Sequence, residues 1–336
     1  MAMLLSGCDS DNHIMQEPIE PEEIVEAEAE AEPEEVISYI KIEEQLIKVE
    51  ANPEKGFYWG YYLFIPDLSV PVDGNIYLLV GPNNTGTGHD DIKVHDDAAR
   101  IEATKRFKNI IAKELGVPLL VPVFPRPYTE WWIYTHSLNR NTLMVKEGRL
   151  ARIDLQLIAM IEDAKLILTN KGLNVEEKVF MKGFSACSTF TNRFAILHPH
   201  IVKAVATGGI NSIPTFPTEE WDGERLRYPV GIADIKEISG IEFNLEEYMK
   251  VAQYIYMGSE DDNDTTPYDD AYERVDARLI WRLVGKEMDV RWRKSEQIYK
   301  ELGIPAQFVT YQGVGHSVTP QIINDVVDFF KANTND

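Results

Sequence analysis

Three stretches of this chain carry side chains that together could perform one hydrolytic reaction. The first, "MKGFSACSTF" (Met181 to Phe190), puts a G-x-S tripeptide directly after an apolar, strand-like run and before a helical pattern. A tight strand-to-helix turn presents its serine beyond the sheet and needs small neighbours, because the backbone there is strained and other chains pass close. Gly183 and Ala186 meet that need around Ser185, and Cys187 stands where such turns usually carry a second glycine. The helix N-terminus that follows supplies positive potential where an oxyanion would form, with the Ala186 N–H as one donor. Cys187 is a weak rival nucleophile: two positions into the helix its thiol points away from the apex, as expected of a small buried residue.

The second stretch is "YQGVGHSVTP". Of the seven histidines, only His316 follows a late strand on a glycine-flanked loop before the closing helix, where an imidazole can reach across the sheet ends to a serine and act as general base. The third is "SEDDNDTTPYDD", the loop after the apolar run Ala252 to Gly258. A G-x-x-D spacing from Gly258 selects Asp261 as the carboxylate that orients the histidine, with Asp262 and Asp264 as alternatives. A calcium loop is the competing reading of these carboxylates, and the glycine and distal glutamate of an EF-hand are missing. A fourth loop, "GPNNTGTG", follows the run Asn75 to Val80. Its glycines let backbone N–H groups face a ligand, with Asn83 or Asn84 as the second oxyanion donor; no lysine follows in the pattern a phosphate loop requires.

The elements that must hold these loops alternate. Strands are expected over "EVISYIKI", Gly56 to Pro66, Asn75 to Val80, "PLLVPVFP", "KVFMKGF", "KAVATGG", Ala252 to Gly258 and "AQFVTYQ". Helices are expected over His95 to Leu115, Arg149 to Gly172, "SACSTFTNRFAILHP", two segments before the last strand, and "TPQIINDVVDFFKA", with Thr319 as its N-cap and Pro320 in its first turn. Such alternation implies an α/β fold, a mainly parallel central sheet covered by helices on both faces, with short antiparallel strands at the start. The stretch 211–247 interrupts the alternation and is expected to form a small lid or cap. The loop Phe124 to Arg140 opens on the same end as the other sites, and Trp131, Trp132 and Tyr134 are candidates for an apolar substrate platform, as is Trp221; packing into the core or a lid is the alternative.

Composition separates the chain into parts. Twelve of its carboxylates fall between Asp9 and Glu35 with no Lys or Arg among them, out of a formal net charge of -22. That tract cannot bury enough apolar area to offset its ordering entropy and reads as an acidic tether over 9–36. The overall charge argues against nucleic acid as a partner. No apolar run is long enough to span a bilayer. At the start, "LLSGC" resembles a bacterial lipobox, which makes 1–8 a residual leader and Cys8 a lipidation site; seven residues precede it, none of them basic. Lipid chains on Cys8 would attach the domain 37–336 to a membrane, in an extracytoplasmic location at the bacterial cell surface or in the periplasm. Cys187 is the only other cysteine, so no disulfide within the domain is expected.

Taken in order, from roughly Phe57 to Phe330, the four loops resemble those of the α/β-hydrolase superfamily. "GFSACSTFTNRFAILHPHIVKAVATGG" together with "GVGHS" is similar to polyhydroxyalkanoate depolymerase and feruloyl esterase-like serine esterases. The resemblance implies Ser185 as nucleophile, an acid among Asp261 and its neighbours, His316 as base, and the Ala186 N–H in the oxyanion hole. It differs at Cys187, and at "GPNN" where many relatives carry a His-Gly pair. The implied activity is carboxylester hydrolysis through an acyl-enzyme on a small or polymeric ester, with no metal or organic cofactor. Two other readings are an inactive surface lipoprotein that binds a ligand or polymer, and a serine peptidase, disfavoured because the chain has no propeller-sized N-terminal domain.

Overall fold

The computed structural model describes residues 38–334; Cys8 and the acidic tract 9–36 lie outside the described residues. The central sheet has eight strands: β1 (Gln45–Val49), β2 (Tyr61–Ile65), β3 (Leu79–Val80), β4 (Leu119–Pro122), β5 (Val179–Phe184), β6 (Val202–Gly208), β7 (Ala252–Gly258) and β8 (Ala306–Tyr311). Their spatial order is β8-β7-β6-β5-β3-β4-β2-β1. β2 runs antiparallel to both β1 and β4, and every other pair is parallel. The inner strands are near-continuous apolar runs because both of their faces are covered; "VFMKG" of β5 is buried throughout, with Lys182 the one charged residue in it.

Seven longer helices accompany the sheet: α1 (Ile92–Lys105), α2 (Phe107–Leu115), α3 (Ile153–Thr169), α4 (Ala186–Leu197), α5 (Arg274–Val284), α6 (Met288–Glu301) and α7 (Pro320–Ala332). The chain steps one way from β3 to β4 and then the other way from β4 past β3 to β5. Right-handed crossovers therefore put α1 and α2 on one face and α3 and α4 on the opposite one. α7 joins α2 on the first face, and its Phe330 stacks on Phe180 of β5 at 4.9 Å between ring centroids.

Two sequence expectations are corrected. The single helix expected over His95 to Leu115 is two helices, broken where Arg106 turns extended (ψ 176°). Asp91 caps the first by accepting from the Lys93 N–H, and the Asn109 amide takes up the Ala103 carbonyl freed at the break. The apolar run Asn75 to Val80 is not one strand: Leu79–Val80 enter the central sheet, whereas Asn75–Ile76 pair with Asn174–Val175. The expected strand in "EVISYIKI" is Tyr39–Ile42, paired with Leu68–Pro71 outside the central sheet. The stretch 211–247 holds a small hairpin (Glu220–Trp221 with Glu224–Arg225) and the short helix Ile235–Ser239, and a second short helix, Leu245–Met249, crosses its end. It is anchored by Arg140, which donates to the Tyr228 carbonyl at 2.9 Å and pairs with Asp234 at 2.6 Å. No helix among the described residues is long and apolar enough to cross a membrane.

Candidate active site

β5 ends at Phe184 and α4 begins at Ala186, so Ser185 alone makes the turn between them. Its φ of 64° and ψ of -134° are conformations an L-residue adopts only when its surroundings impose them. Gly183 is required because a Cβ there would lie 2.3 Å from the Cys187 carbonyl oxygen and 2.5 Å from the Ser188 Cα. The Cys187 thiol turns back to the base of the turn, donating to the Phe184 carbonyl at 3.0 Å and accepting from the Phe184 N–H at 3.2 Å. It is buried and ties the turn together from within.

The loops after β7 and β8 are joined to each other. The Ser259 N–H donates to the Tyr311 carbonyl, and the Glu260 N–H to the Val314 carbonyl, both at 2.9 Å. That pairing sets His316 Nδ1 at 2.9 and 3.0 Å from the two carboxylate oxygens of Asp261, whose side chain is almost fully buried. Of the three aspartates, Asp261 is the one that meets His316: Asp262 is exposed, and Asp264 is held by Arg291 at 2.7 Å. The Phe184 ring lies under the imidazole at 4.7 Å between centroids.

Between the imidazole and the serine stands Asn263, a residue that sequence reasoning missed. Its Nδ2 is 3.0 Å from His316 Nε2 and 3.4 Å from Ser185 Oγ, and no direct hydrogen bond joins Ser185 to His316. A carboxamide NH₂ only donates, so Nε2 accepts and the ring proton sits on Nδ1, facing Asp261. This is the tautomer in which Nε2 carries the lone pair a base needs, here taken up by the Asn263 amide.

The loop after β3 reaches the same end of the sheet. Asn83 is fully buried, and its side chain is clamped to the chain leaving β4: Nδ2 donates to the Phe124 carbonyl at 2.9 Å and Oδ1 accepts from the Phe124 N–H at 3.2 Å. Nδ2 also lies 3.2 Å from Nε2 of His136, an imidazole that burial pushes down to about 3, so it stays neutral. The Asn84 side chain accepts from the Gly86 N–H. Among the described residues, the backbone N–H groups of Asn83, Asn84 and Ala186 meet no acceptor. Trp131 and Trp132 pack edge to face at 6.0 Å and are 49% and 43% exposed. Tyr134 does not share that surface: it is buried, with the Arg126 guanidinium 3.8 Å from its ring centre. Trp221 lines a separate cleft with Leu283 and Ile298.

No protein-family model matches the sequence, and no curated protein is significantly similar to it. Solved structures do match it in three dimensions. LpqC, a poly(3-hydroxybutyrate) depolymerase from Bordetella parapertussis, aligns over 88% of this chain and 92% of its own with a TM-score of 0.53 at 17% identity. Poly(aspartic acid) hydrolase-1 from Sphingomonas sp. KT-1 aligns over 84% of this chain and 96% of its own with a TM-score of 0.52 at 13% identity. The chain has the α/β-hydrolase fold. Ser185, Asp261 and His316 each lie just past the carboxyl end of a parallel strand.

Proposed function

We propose that this protein is a serine carboxylester hydrolase that works through an acyl-enzyme. The observation that carries the reading is the His316 imidazole, backed by Asp261 through Nδ1 and turning Nε2 toward the strained Ser185 turn, with Asn263 within hydrogen-bond distance of both. In the first half-reaction Ser185 Oγ attacks the ester carbonyl carbon and its proton passes to His316 Nε2. Asp261 holds the ring and stabilises the imidazolium. The carbonyl oxygen, now an oxyanion, is received by the N–H groups of Ala186 and of Asn83 or Asn84. The C–O bond to the leaving alcohol breaks as Nε2 returns the proton to it. Water then attacks the acyl-enzyme by the same path, releasing the acid and restoring Ser185.

For Ser185 to donate to Nε2, the Asn263 amide must give way or be displaced when substrate binds. A polymeric or aromatic ester is the substrate class proposed. The exposed Trp131–Trp132 pair, on the loop after β4, supports it. A lipid on Cys8 would attach the domain to a membrane.

The same Asn263 favours a second reading, a fold kept for ligand binding in which the serine is never activated. Labelling by a fluorophosphonate separates the two. Under the first reading the wild-type protein is labelled and Ser185→Ala is not, and Ser185→Ala or His316→Ala lowers hydrolysis of p-nitrophenyl esters by about 10⁴- to 10⁶-fold. A folded wild type that resists the label sinks the esterase reading.

A further inference from the structure

Beneath the turn lies a lysine that the reaction as described does not use. Lys108, in the first turn of α2, is fully buried, and its ammonium donates to the Pro82 carbonyl at 2.6 Å. The same Nζ reaches Cys187 Sγ on α4 at 3.6 Å and Glu102 Oε2 on α1 at 3.3 Å. Burial alone would strip its proton. Cys187 and Glu102 outweigh that pull, so its pKa is raised and the group stays cationic. The aliphatic stem needs a bare backbone to pass: a Cβ on Gly81 would lie 2.6 Å from Lys108 Cδ.

Pro82 C=O and Asn83 N–H are the two ends of one peptide unit. The unit is planar and trans, so a donor that fixes the oxygen also fixes the direction of the N–H on the opposite side. A cation on the oxygen draws electron density out of the amide and makes that N–H a stronger donor. The contact with Cys187 sets the same cation against the turn that supplies the Ala186 N–H.

We propose that Lys108 is a positioning residue for the oxyanion hole: by holding the Pro82 carbonyl it aims and polarises the Asn83 N–H, and by contacting Cys187 it keeps that donor in register with the serine turn. The inference rests on Ser185 being the nucleophile. It selects Asn83 over Asn84 as the second donor. The Lys108 charge acts through the peptide and touches no substrate.

The test uses two variants. Lys108→Met combined with Glu102→Gln removes the cation and the carboxylate it would leave unpaired. Gly81→Ala keeps the charge but displaces the stem. The probe is an alkyl trifluoromethyl ketone, to which Ser185 Oγ adds to give a hemiketal whose oxyanion occupies the hole. In both variants kcat for p-nitrophenyl butyrate is expected to fall by about 10- to 100-fold with KM changed less than about twofold, because only a bound oxyanion senses the donor. Ki for the ketone should rise by the same factor, and the hemiketal oxyanion, followed by ¹⁹F NMR, should titrate at a higher pH. A merely structural role would lower thermal stability and leave that titration in place, so an unchanged Ki and titration in either folded variant overturns the proposal. A wild type that forms no hemiketal removes the nucleophile reading as well, which distinguishes the two failures.

Discussion

At the scale of single residues, Asn263 stands between the imidazole and the serine. Its amide donates to the one nitrogen of His316 that a base must keep available, and to the serine oxygen as well. Removing it should let Ser185 donate directly to Nε2. The expected result for Asn263→Ala is fluorophosphonate labelling about 2- to 10-fold faster than wild type, the equivalent of one competing hydrogen bond. Labelling slowed by a comparable factor would mean that the amide supports the reaction. No pattern in the sequence singled Asn263 out, because an asparagine among aspartates in a loop has no spacing of its own. Ser185 and His316 were legible because a G-x-S between strand and helix and a histidine between late glycines are local features. The acid was legible only as a set of three. What separates Asp261 from Asp264 is the distant Arg291, and what separates it from Asp262 is burial.

At the scale of elements, Lys182 is the charged residue in a strand otherwise built from apolar side chains. It is fully buried beside the serine turn, donating to the Gly183 carbonyl and to the Tyr256 hydroxyl, the latter at 3.0 Å. Burial lowers its pKa from the ordinary 10.5 to about 7, with Lys108 adding to the shift and Cys187 and Glu102 opposing it. The unfolded chain therefore binds a proton that the folded chain does not, from about pH 7 to about 10.5, and stability contributed through this group rises with pH across that window. The lysine is least favourable to folding below pH 7. In Lys182→Met the urea midpoint, measured from pH 7 to 10, should climb less steeply than in wild type; parallel curves would show that the amine is not depressed. A lysine in "VFMKGF" is legible in the sequence as a charge inside an otherwise apolar strand. The break at Arg106 was less readable, since apolar residues keep helical spacing in the sequence on both sides of it, from Ala98 to Leu115.

At the scale of the whole molecule, the domain 37–336 carries 33 Lys and Arg against 43 Asp and Glu, a formal charge of -10 that sets a field around it. A neutral ester is indifferent to it, whereas an ester carrying a carboxylate is repelled on approach. For such an anionic substrate kcat/KM should rise about two- to fivefold between about 10 and 200 mM salt, with the neutral analogue unchanged, as screening shortens the reach of the field. Equal salt dependence of the two would remove the field from the account. The fold class was legible from the alternation of strands and helices. The spatial order was not: the reversal that puts β3 between β4 and β5 is a matter of which edges pair, and the chain carries no local mark of it.

One consequence follows from the two main-chain bonds between the loops after β7 and β8. They make the carboxylate and the imidazole a single prefabricated part, while the hydroxyl belongs to another strand with β6 in between. A change that loosened either bond would thus shift Asp261 and His316 together, while Ser185 stayed with β5 and α4.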